Sequence, residues 1–358
     1  MKSKTERIKE WMKGNKANPY TLELNPTNNC NLRCRFCWQR NADPNKKEEL
    51  SYEKIMETVE EASELGVEEF RIPGSGEPLM RRSLVEEMIE KIKKEKMHGL
   101  LISNGSLLDT DILERMVSLE WDILTISIDS ADARNHDLLR DKVGTFQKVI
   151  ANLNELKELK EEYGSDKPKL RFNTVLTNLN YNHMAELVEI AHRLGCEDIQ
   201  VQPMTVFSEI GEKYKLKGHK TELNKSLTEA KTLADKYDIY TNMDSFIDNE
   251  IVDKTEEMDR VIEEEASKEE NRFLSAPCFE PWYNMVILPQ GEVAQCSMFG
   301  GKGGDNIGNK SLKEVWFGDY FEKARRRLLD HELFSYCKNC CVPVNLENKR
   351  IRENLRKD

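Results

Sequence analysis

The sequence has no hydrophobic run long enough to cross a membrane and no apolar segment near its start. No stretch approaches the roughly 18–20 apolar residues of a membrane span. Residues 1–20, MKSKTERIKEWMKGNKANPY, carry charges but lack the apolar core of a secretory signal. We therefore expect a cytoplasmic protein with no membrane partner.

The sequence also lacks an excess of basic residues. It contains 54 Lys and Arg against 65 Asp and Glu, a formal net charge of −11. A protein that binds nucleic acid through general phosphate attraction needs a basic surface. The composition disfavours a nucleic-acid partner and favours a small-molecule or peptide substrate.

Cysteine, in contrast, is plentiful, with nine in 358 residues. This length suits one large domain with an appendage, or two modest domains. In a reducing compartment, clustered thiols indicate metal or redox chemistry rather than disulfides. The spacing of the cysteines therefore decides what they do.

Short apolar runs alternate with amphipathic, charge-rich segments between residues 20 and 204, which is typical of βα units around a parallel sheet. The six predicted strands are 20–26, 68–73, 98–103, 123–129, 170–176 and 198–204. We predict an α/β fold, an open partial (β/α)6 TIM barrel, followed by a small C-terminal cysteine-rich domain.

The composition changes along the chain and suggests five segments. We predict an N-terminal extension at 1–19, the barrel core at 20–205, a charged helical linker or substrate region at 206–277, the cysteine-rich domain at 278–345 and a tail at 346–358. The charged region shows no clear strand, and its default interpretation is solvated helix. The basic helix at the end of the chain is expected to fray.

Cys30, Cys34 and Cys37 follow the first predicted strand, at the sheet edge where parallel α/β folds place their chemistry. Three thiolates can each bind one iron of a four-iron cluster, which leaves the fourth iron without a protein ligand. A zinc site that takes a fourth ligand from elsewhere is equally compatible. The trio alone leaves both interpretations open.

Later predicted strands end on glycine-rich or polar motifs. These are Gly74-Ser75-Gly76-Glu77-Pro78 after the second strand, Ser103-Asn104-Gly105 after the third and Ser127-Ile128-Asp129 after the fourth. Side-chain alternation along a strand puts Ser127 and Asp129 on the same face. Taken one by one, such motifs are also found in ordinary turns.

In this order, the cysteine trio and the strand-end motifs resemble the radical S-adenosylmethionine (SAM) superfamily. The resemblance implies a four-iron cluster whose open iron binds SAM, and reductive cleavage that yields a 5′-deoxyadenosyl radical. It also implies an electron donor such as flavodoxin or ferredoxin. One departure is Ser75, which stands where the family has the first glycine of a Gly-Gly pair.

The resemblance assigns roles by position. Residues 74–78 match the motif that receives the methionine amino group, Arg140 matches the arginine near the methionine carboxylate, and later strand ends match contacts to ribose and adenine. An ordinary surface arginine is the alternative for Arg140. The implied cofactor-binding residues are Gly74, Ser75, Gly76, Glu77, Pro78, Ser103, Asn104, Ser127, Asp129, Arg140, Asn173, Gln202 and Met204.

A second set of cysteines lies near the C-terminus: Cys278, Cys296, Cys337 and Cys340. The segment PQGEVAQC predicts a tight hairpin in which Gly291 allows the turn that returns Cys296 toward Cys278. Four thiolates can close one metal site completely. Spacing alone does not separate an iron–sulfur cluster from a four-cysteine zinc ribbon.

This spacing resembles the SPASM domain of peptide-modifying radical SAM enzymes. Residues 342–358 contain no further cysteine, so the resemblance is closer to the shorter "twitch" variant, and it implies one auxiliary four-iron cluster. Cys341 could replace Cys340 as a ligand or be inert. Cys196 is interpreted as buried packing.

The leading hypothesis is a radical SAM enzyme that abstracts hydrogen from a peptide, a protein side chain or a small hydroxylated metabolite. A closed auxiliary cluster favours oxidation or crosslinking over simple return of hydrogen. One alternative is a redox-neutral sugar or amino-acid epimerase, and another is a zinc-binding protein without activity. No catalytic acid or base is assigned.

Overall fold

The computed structural model describes residues 2–41, 48–206, 208–248, 257–297 and 304–357, and its central feature is one nine-stranded sheet. The spatial order is β7-β6-β5-β4-β3-β2-β1-β8-β9. The strands are β1 Thr21–Leu24, β2 Glu69–Ile72, β3 His98–Ser103, β4 Ile123–Ser127, β5 Lys169–Leu176, β6 Cys196–Pro203, β7 Tyr240–Thr241, β8 Asn284–Ile287 and β9 Val293–Ala294. Strands β1 to β8 pair in parallel, and only β9 runs antiparallel to its neighbour within the described sheet.

Helices lie before, between and after the strands, and the longer ones between β1 and β7 cover one face of the sheet. They are α1 Lys4–Met12, α2 Tyr52–Glu64, α3 Arg82–Lys94, α4 Thr110–Ser118, α5 Ala133–Arg140, α6 Thr145–Tyr163, α7 Met184–Arg193, α8 Glu209–Glu212, α9 Lys220–Lys236, α10 Met258–Ala266, α11 Glu280–Tyr283, α12 Leu312–Trp316, α13 Asp319–Leu329 and α14 Val342–Arg356. All six predicted strands are present as β1 to β6, and the partial parallel barrel is confirmed.

Side-chain alternation divides each strand between two environments. On β5, Leu170, Phe172 and Leu176 enter the core against the helices, whereas Arg171 and Asn173 on the other face are only half-buried. A period of two is what an extended strand imposes. The helix-covered face is therefore apolar, and the concave face, which lines the barrel lumen, is polar.

The C-terminal cysteine-rich region extends the same sheet. Strand β8 pairs with β1 from Thr21↔Asn284 to Leu24↔Ile287, and β9 turns back along β8. Gly291 in the connecting turn has φ +80°, which confirms the predicted hairpin. Because β8 is parallel to β1, the chain on either side of the β8–β9 hairpin, at Cys278 and Cys296, lies toward the amino-terminal ends of these strands. The Cys30 loop leaves β1 at the opposite end.

Helix α14 does not fray, so the expectation of a loose tail was wrong. It contacts β6 and reaches β7, where Arg350 Nη2 donates to Tyr240 Oη at 3.3 Å, while Glu347 pairs with Lys4 of α1 at 2.8 Å. It therefore joins the β6–β7 edge of the sheet to the N-terminal helix α1. The sequence concealed this because several buried positions of α14 are polar, including Arg352, which donates to the carbonyls of Leu274 and Ala276.

The charged region after β6 is also more integrated than expected. Helix α9 packs against α7 and buries Leu223, Leu227 and Ala230 in the main core. Strand β7 then adds two residues to the sheet beside β6, so the prediction that this region has no strand was wrong. A two-residue strand has too little pattern to be found by periodicity. Within the described ranges, no helix is long and apolar enough to cross a membrane.

The packing of α14 can be tested at Ile351, which is 3% exposed and lies in a cluster with Ile8, Phe279 and Trp282. We expect Ile351→Ala to lower the free energy of unfolding by about 2–5 kcal/mol, because it removes buried methyl groups and leaves a cavity. Urea unfolding measures the change. The matched control is the exposed Glu353→Ala, and equal stability of the two variants would restore the frayed-tail interpretation.

Candidate functional site

The loop after β1 carries the first three cysteines and is held by the end of α5. The Arg35 N–H donates to the Leu139 carbonyl at 2.8 Å, and the Arg35 side chain pairs with Asp141 at 2.8 Å. The Cys37 N–H donates to the Cys34 carbonyl at 3.1 Å, which makes a tight turn between these two ligand candidates. Arg35 therefore anchors the Cys34–Cys37 part of the loop to the end of α5.

Arg140, the last residue of α5, lies between this loop and β4. Its Nη2 is 2.7 Å from Asp129 Oδ2, its Nη1 is 3.7 Å from Cys34 Sγ, and its guanidinium lies over the Phe36 ring at 5.5 Å. Burial opposes the charge, but Asp129 and Cys34 outweigh that effect and raise the pKa of Arg140. The guanidinium is thus a fixed positive charge beside the cysteine loop, and a ligand carboxylate would have to compete with Asp129 for it.

Glu77 joins three strand-end segments. Its Oε1 accepts from Ser103 Oγ at 2.8 Å and its Oε2 from the Asn104 N–H at 2.7 Å. Asn104 Nδ2 in turn donates to Asn31 Oδ1, at 2.9 Å, within the cysteine loop. The carboxylate of Glu77 is therefore used by the protein itself, which leaves the backbone of residues 74–78 as the part of this motif that can face a ligand.

The glycines of the second motif are required by close backbone approach. A Cβ on Gly76 would lie 2.1 Å from the Asn29 carbonyl oxygen, just before Cys30. The Gly76 N–H donates to the Thr27 carbonyl at 2.9 Å, and Ser75 is held through its N–H and Oγ by Asn25 Oδ1 at 2.8 and 3.1 Å. Ser75 is accommodated because its side chain bonds to Asn25, so the departure from a Gly-Gly pair does not disturb the contact.

The structure brings the remaining predicted residues to the same end of the sheet. Ser127 and Asn173 are register partners on β4 and β5, both half-buried on the lumen face, and Gln202 occupies the corresponding face of β6. Met204 is buried just beyond β6. Asp129 is fully buried, with its Oδ1 accepting from the Val175 N–H at 3.2 Å.

The second cysteine set gathers beside α14 and the turn at Ser335–Asn339. Asn348 of α14 donates to Cys278 Sγ at 3.6 Å and accepts from the Phe279 N–H. The Cys340 N–H donates to the Cys337 carbonyl at 2.9 Å, which brings these two thiols onto one turn. No disulfide forms among the described residues. As they stand, no three His, Cys, Asp or Glu side chains of the described chain coordinate a single ion.

The two adjacent cysteines at 340 and 341 have different surroundings. Burial, and then the neighbouring thiols Cys341, Cys278, Cys296 and Cys337, raise the pKa of Cys340 well above its usual value. Burial also raises the pKa of Cys341 to about 11, against a lowering by the Val344 N–H, and the charged groups that add to the rise are Glu280 and Glu23. Cys340 is therefore the member of this pair that sits among the other three thiols.

The donor chemistry of both sets fits iron–sulfur ligation. The first offers three thiols on one loop next to a permanent positive charge, and the second offers four half-buried thiols. Burial raises the pKa of Cys30, Cys337 and Cys341 to about 11 each, so the metal-free thiols hold their protons. Binding of a metal would then displace those protons, as thiolate ligation requires.

Several residues around the site were missed from the sequence. Asn25 and Asn31 position the second motif and the cysteine loop, and His136 Nδ1 accepts from the Asp129 N–H at 3.3 Å. Arg171, with the same side-chain parity as Asn173, faces the lumen. Because alternate residues of a strand face the same side, the position of Arg171 in the lumen could have been predicted from that of Asn173. The roles of Asn25, Asn31 and His136 depend on tertiary contacts.

The fold and the cysteine loop together define a class, and comparison with known families names it. The sequence model of the radical SAM superfamily matches residues 24–191, and that of the SPASM iron–sulfur cluster-binding domain matches residues 278–341. The chain belongs to the radical SAM superfamily and carries a C-terminal SPASM iron–sulfur domain. The second match ends at Cys341, the last cysteine of the chain.

Curated relatives match mainly through the barrel. A probable GTP 3′,8-cyclase of Methanocaldococcus jannaschii is 24% identical over 218 residues, which cover 60% of this chain and 67% of that protein. A PqqA peptide cyclase of Granulibacter bethesdensis is 27% identical over 187 residues, 51% of this chain and 46% of that protein. The chain spans about half the length of most such relatives.

Solved structures match over more of the chain. SuiB of Streptococcus suis bound to S-adenosylmethionine has a TM-score of 0.66 and 18% identity, covering 90% of this chain and 72% of SuiB. The protein anSMEcpe with bound AdoMet has a TM-score of 0.62 and 16% identity, covering 95% of this chain and 97% of anSMEcpe. Both have also been crystallised with peptides, SuiB with the precursor peptide SuiA and anSMEcpe with a Kp18Cys peptide. At these identities the similarity concerns the fold.

The burial of the His136 ring predicts how the free energy of unfolding changes at acid pH. Burial, with Arg140 adding to it, lowers the pKa of His136 from 6.5 to about 3. The folded chain therefore keeps a neutral ring where the unfolded chain takes up a proton, so the stability contributed by the neutral ring falls as the pH drops below 6.5. We expect a loss of about 2 kcal/mol between pH 7 and 5 from this group, measured by urea unfolding.

The variant His136→Gln keeps an acceptor for the Asp129 N–H but does not titrate. It should lose less stability than the parent between pH 7 and 5, by about the amount stated. His183→Gln is the matched control, because the His183 side chain is 43% exposed, and it should retain the full pH dependence. An unchanged dependence in His136→Gln would contradict the prediction.

Proposed function

We propose that this chain uses S-adenosylmethionine to start radical chemistry on a peptide or protein side chain, which it oxidises or crosslinks. One observation carries the proposal: the pairing of β8 with β1 places two cysteine sets toward opposite ends of one strand pair. The first set opens at the carboxyl end of the lumen, and the second lies near the amino end. The strand pair between them is four residues, or about 13 Å, long, and both sets would serve one substrate in the lumen.

We assign the ligands as Cys30, Cys34 and Cys37 for one four-iron cluster. The auxiliary four-iron cluster is assigned to Cys278, Cys296, Cys337 and Cys340. When bound, the first cluster and S-adenosylmethionine supply a 5′-deoxyadenosyl radical by reductive cleavage. Three thiolates leave one iron free for that cofactor, whereas four thiolates leave none, which favours electron transfer as the auxiliary role.

The chain's own residues orient S-adenosylmethionine in this proposal. Backbone groups of Gly74, Ser75 and Gly76 face the methionine amino group, held in place by Glu77 through Ser103 and Asn104. Ser127, Asn173 and Gln202 offer polar side chains on the lumen face for ribose and adenine. Arg140 keeps a positive charge beside the loop and exchanges part of its contact with Asp129 for the methionine carboxylate.

A peptide is the favoured substrate class. The fold matches SuiB and anSMEcpe over most of this chain, and both bind peptides. The lumen face is polar, which suits a peptide or a small hydroxylated metabolite better than an apolar ligand. An electron donor such as flavodoxin or ferredoxin would complete the system.

One observation favours a second candidate function, a redox-neutral epimerase. Such an enzyme needs a hydrogen donor near the lumen, and Cys341 is a thiol outside the proposed ligand set whose pKa is raised in part by Glu280 and Glu23. Glu23 is on β1 and binds Arg71 at 3.2 Å on the lumen side. Cys341→Ala should abolish net turnover of an epimerase while sparing a dehydrogenase or crosslinking enzyme.

Anaerobic reconstitution tests the radical assignment. We expect about eight irons per chain, the content of two four-iron clusters, and formation of 5′-deoxyadenosine from S-adenosylmethionine with dithionite. Cys34→Ala should lose about half of the iron and all of the 5′-deoxyadenosine. The control Cys196→Ala, at a buried cysteine outside both sets, should keep both. A protein that retains about two zinc and no iron would overturn the proposal.

The surroundings of Cys340 and Cys341 predict which of them binds the auxiliary cluster. Cys340→Ala should remove about four irons per chain while leaving 5′-deoxyadenosine formation detectable, because the first cluster is separate. Cys341→Ala should keep the full iron content. Iron analysis and low-temperature EPR of the reduced proteins measure this, and the reverse pattern would move the ligand to Cys341.

A further inference from the structure

One arginine on the lumen face, Arg171, uses only the Nε edge of its guanidinium for contacts within the described chain. Arg171 lies on the lumen face of β5, 30% exposed, and its Nε donates to Asp198 Oδ2 at 2.6 Å on β6. Its Nη1 and Nη2 donate no hydrogen bond to any residue that the structure describes. By comparison, Arg71, the lumen arginine of β2, is occupied by both Glu23 and Glu69.

The orientation of Arg171 is set before any ligand arrives. Asp198 holds the Nε edge of the guanidinium, and Gln200 Nε2 donates to the other oxygen of Asp198. A side-on contact at Nε leaves the Nη1 and Nη2 edge as a planar pair of donors. That edge matches the two oxygens of a carboxylate in a bidentate contact.

A second polar group next to Arg171 also lacks a partner. Thr125 on β4 is the register partner of Arg171. It is 4% exposed, and its Oγ1 has no hydrogen-bond partner in the described chain. Leu124 and Ile126 on either side belong to the helix-covered core, so strand alternation directs Thr125 to the lumen. A buried hydroxyl is normally satisfied, which indicates that a ligand supplies its partner.

The position of Thr125 and Arg171 along their strands places them near the proposed S-adenosylmethionine site. Thr125, Arg171 and Asp198 are aligned across β4, β5 and β6. Ser127 and Asn173, proposed for S-adenosylmethionine, lie two residues closer to the carboxyl ends, about 6–7 Å further along the strands. A group bound at Arg171 therefore lies just inside the lumen from the cofactor, where a substrate must be.

We propose that Arg171 and Thr125 form a subsite for a carboxylate of the substrate, and this inference rests on the proposed function. Arg171 binds both carboxylate oxygens and Thr125 Oγ1 donates to one of them. In a chain with a net charge of −11, a lumen guanidinium with one partner gives acidic ligands a local point of attraction. The carboxylate comes from an Asp or Glu side chain or from the C-terminus of a peptide.

Binding of short blocked peptides tests the subsite without requiring turnover. The probes are acetyl-Gly-Glu-Gly-amide, with a side-chain carboxylate, acetyl-Gly-Gln-Gly with a free C-terminus, and acetyl-Gly-Gln-Gly-amide, with neither. They are titrated calorimetrically into the anaerobic, reconstituted full chain with S-adenosylmethionine. We expect one or both carboxylate peptides to bind at least about tenfold more tightly than the neutral peptide, and the stronger of the two identifies the source.

The variants decide whether Arg171 is responsible. Arg171→Met should lose about tenfold in affinity for the carboxylate peptide and nothing for the neutral one, because it removes charged donors. Arg171→Lys keeps the charge but not the planar pair, and Thr125→Val keeps the shape but not the hydroxyl, so both should lose about threefold. Lys169→Met is the matched control on the same strand, where Lys169 pairs with Asp166 and Glu197, and it should bind as the parent does.

The two proposals fail in distinguishable ways. Equal binding of all three peptides, no saturable binding of either carboxylate peptide, or parental affinity in both Arg171 variants would overturn the subsite. Formation of 5′-deoxyadenosine is measured on the same samples without peptide. Its absence would overturn the radical function alone, whereas its presence in Arg171→Met would show that a loss of peptide affinity comes from the subsite and not from a damaged cofactor site.

Discussion

The site depends on one buried carboxylate, Glu77, which ties the loop after β2 to the end of β3 and, through Asn104, to the cysteine loop. Its two oxygens accept from Ser103 Oγ and the Asn104 N–H, and Asn104 then holds Asn31 in the cysteine loop. An unpartnered buried carboxylate would be costly, so the acceptors and donors must be assembled together or not at all. Because Glu77 follows β2, Ser103 and Asn104 end β3 and Asn31 follows β1, this network joins three strand-end loops into one rim on which a cluster and its cofactor can be placed.

Polar contacts also fix the structure near the second cysteine set, where buried polar side chains of α14 make contacts that apolar side chains make elsewhere in the core. Helix α14 is held to the edge strand β7 by Arg350 and to the segment before β8 by Asn348 and Arg352, with Arg352 donating to two backbone carbonyls. Polar contacts of this kind fix a single arrangement, since they are satisfied in only one register. The position of the second cysteine set follows from that arrangement, because Asn348 contacts Cys278 directly.

This reliance on polar packing explains which features could be predicted. The six strands and the hairpin at Gly291 follow from periodicity and turn chemistry, and both were predicted from the sequence. The two-residue β7 carries no periodic signal. The packing of α14 depends on buried asparagines and arginines, which composition assigns to solvent. In the site, the cysteines and strand-end motifs were visible by spacing, whereas Asn25, Asn31 and His136 act through contacts between segments distant in sequence.

The polarity of the lumen sets a requirement on any substrate. Its arginines differ in how far the protein neutralises them, with Arg71 fully engaged by two carboxylates and Arg171 by one. A guanidinium that already has two acidic partners gains little from a third, but one with a free edge gains a charge-assisted bond when water is excluded. Loading of the substrate carboxylate and exclusion of water from the lumen would thus be coupled. That coupling suits a radical reaction, in which a substrate must seal the site before a primary carbon radical is formed.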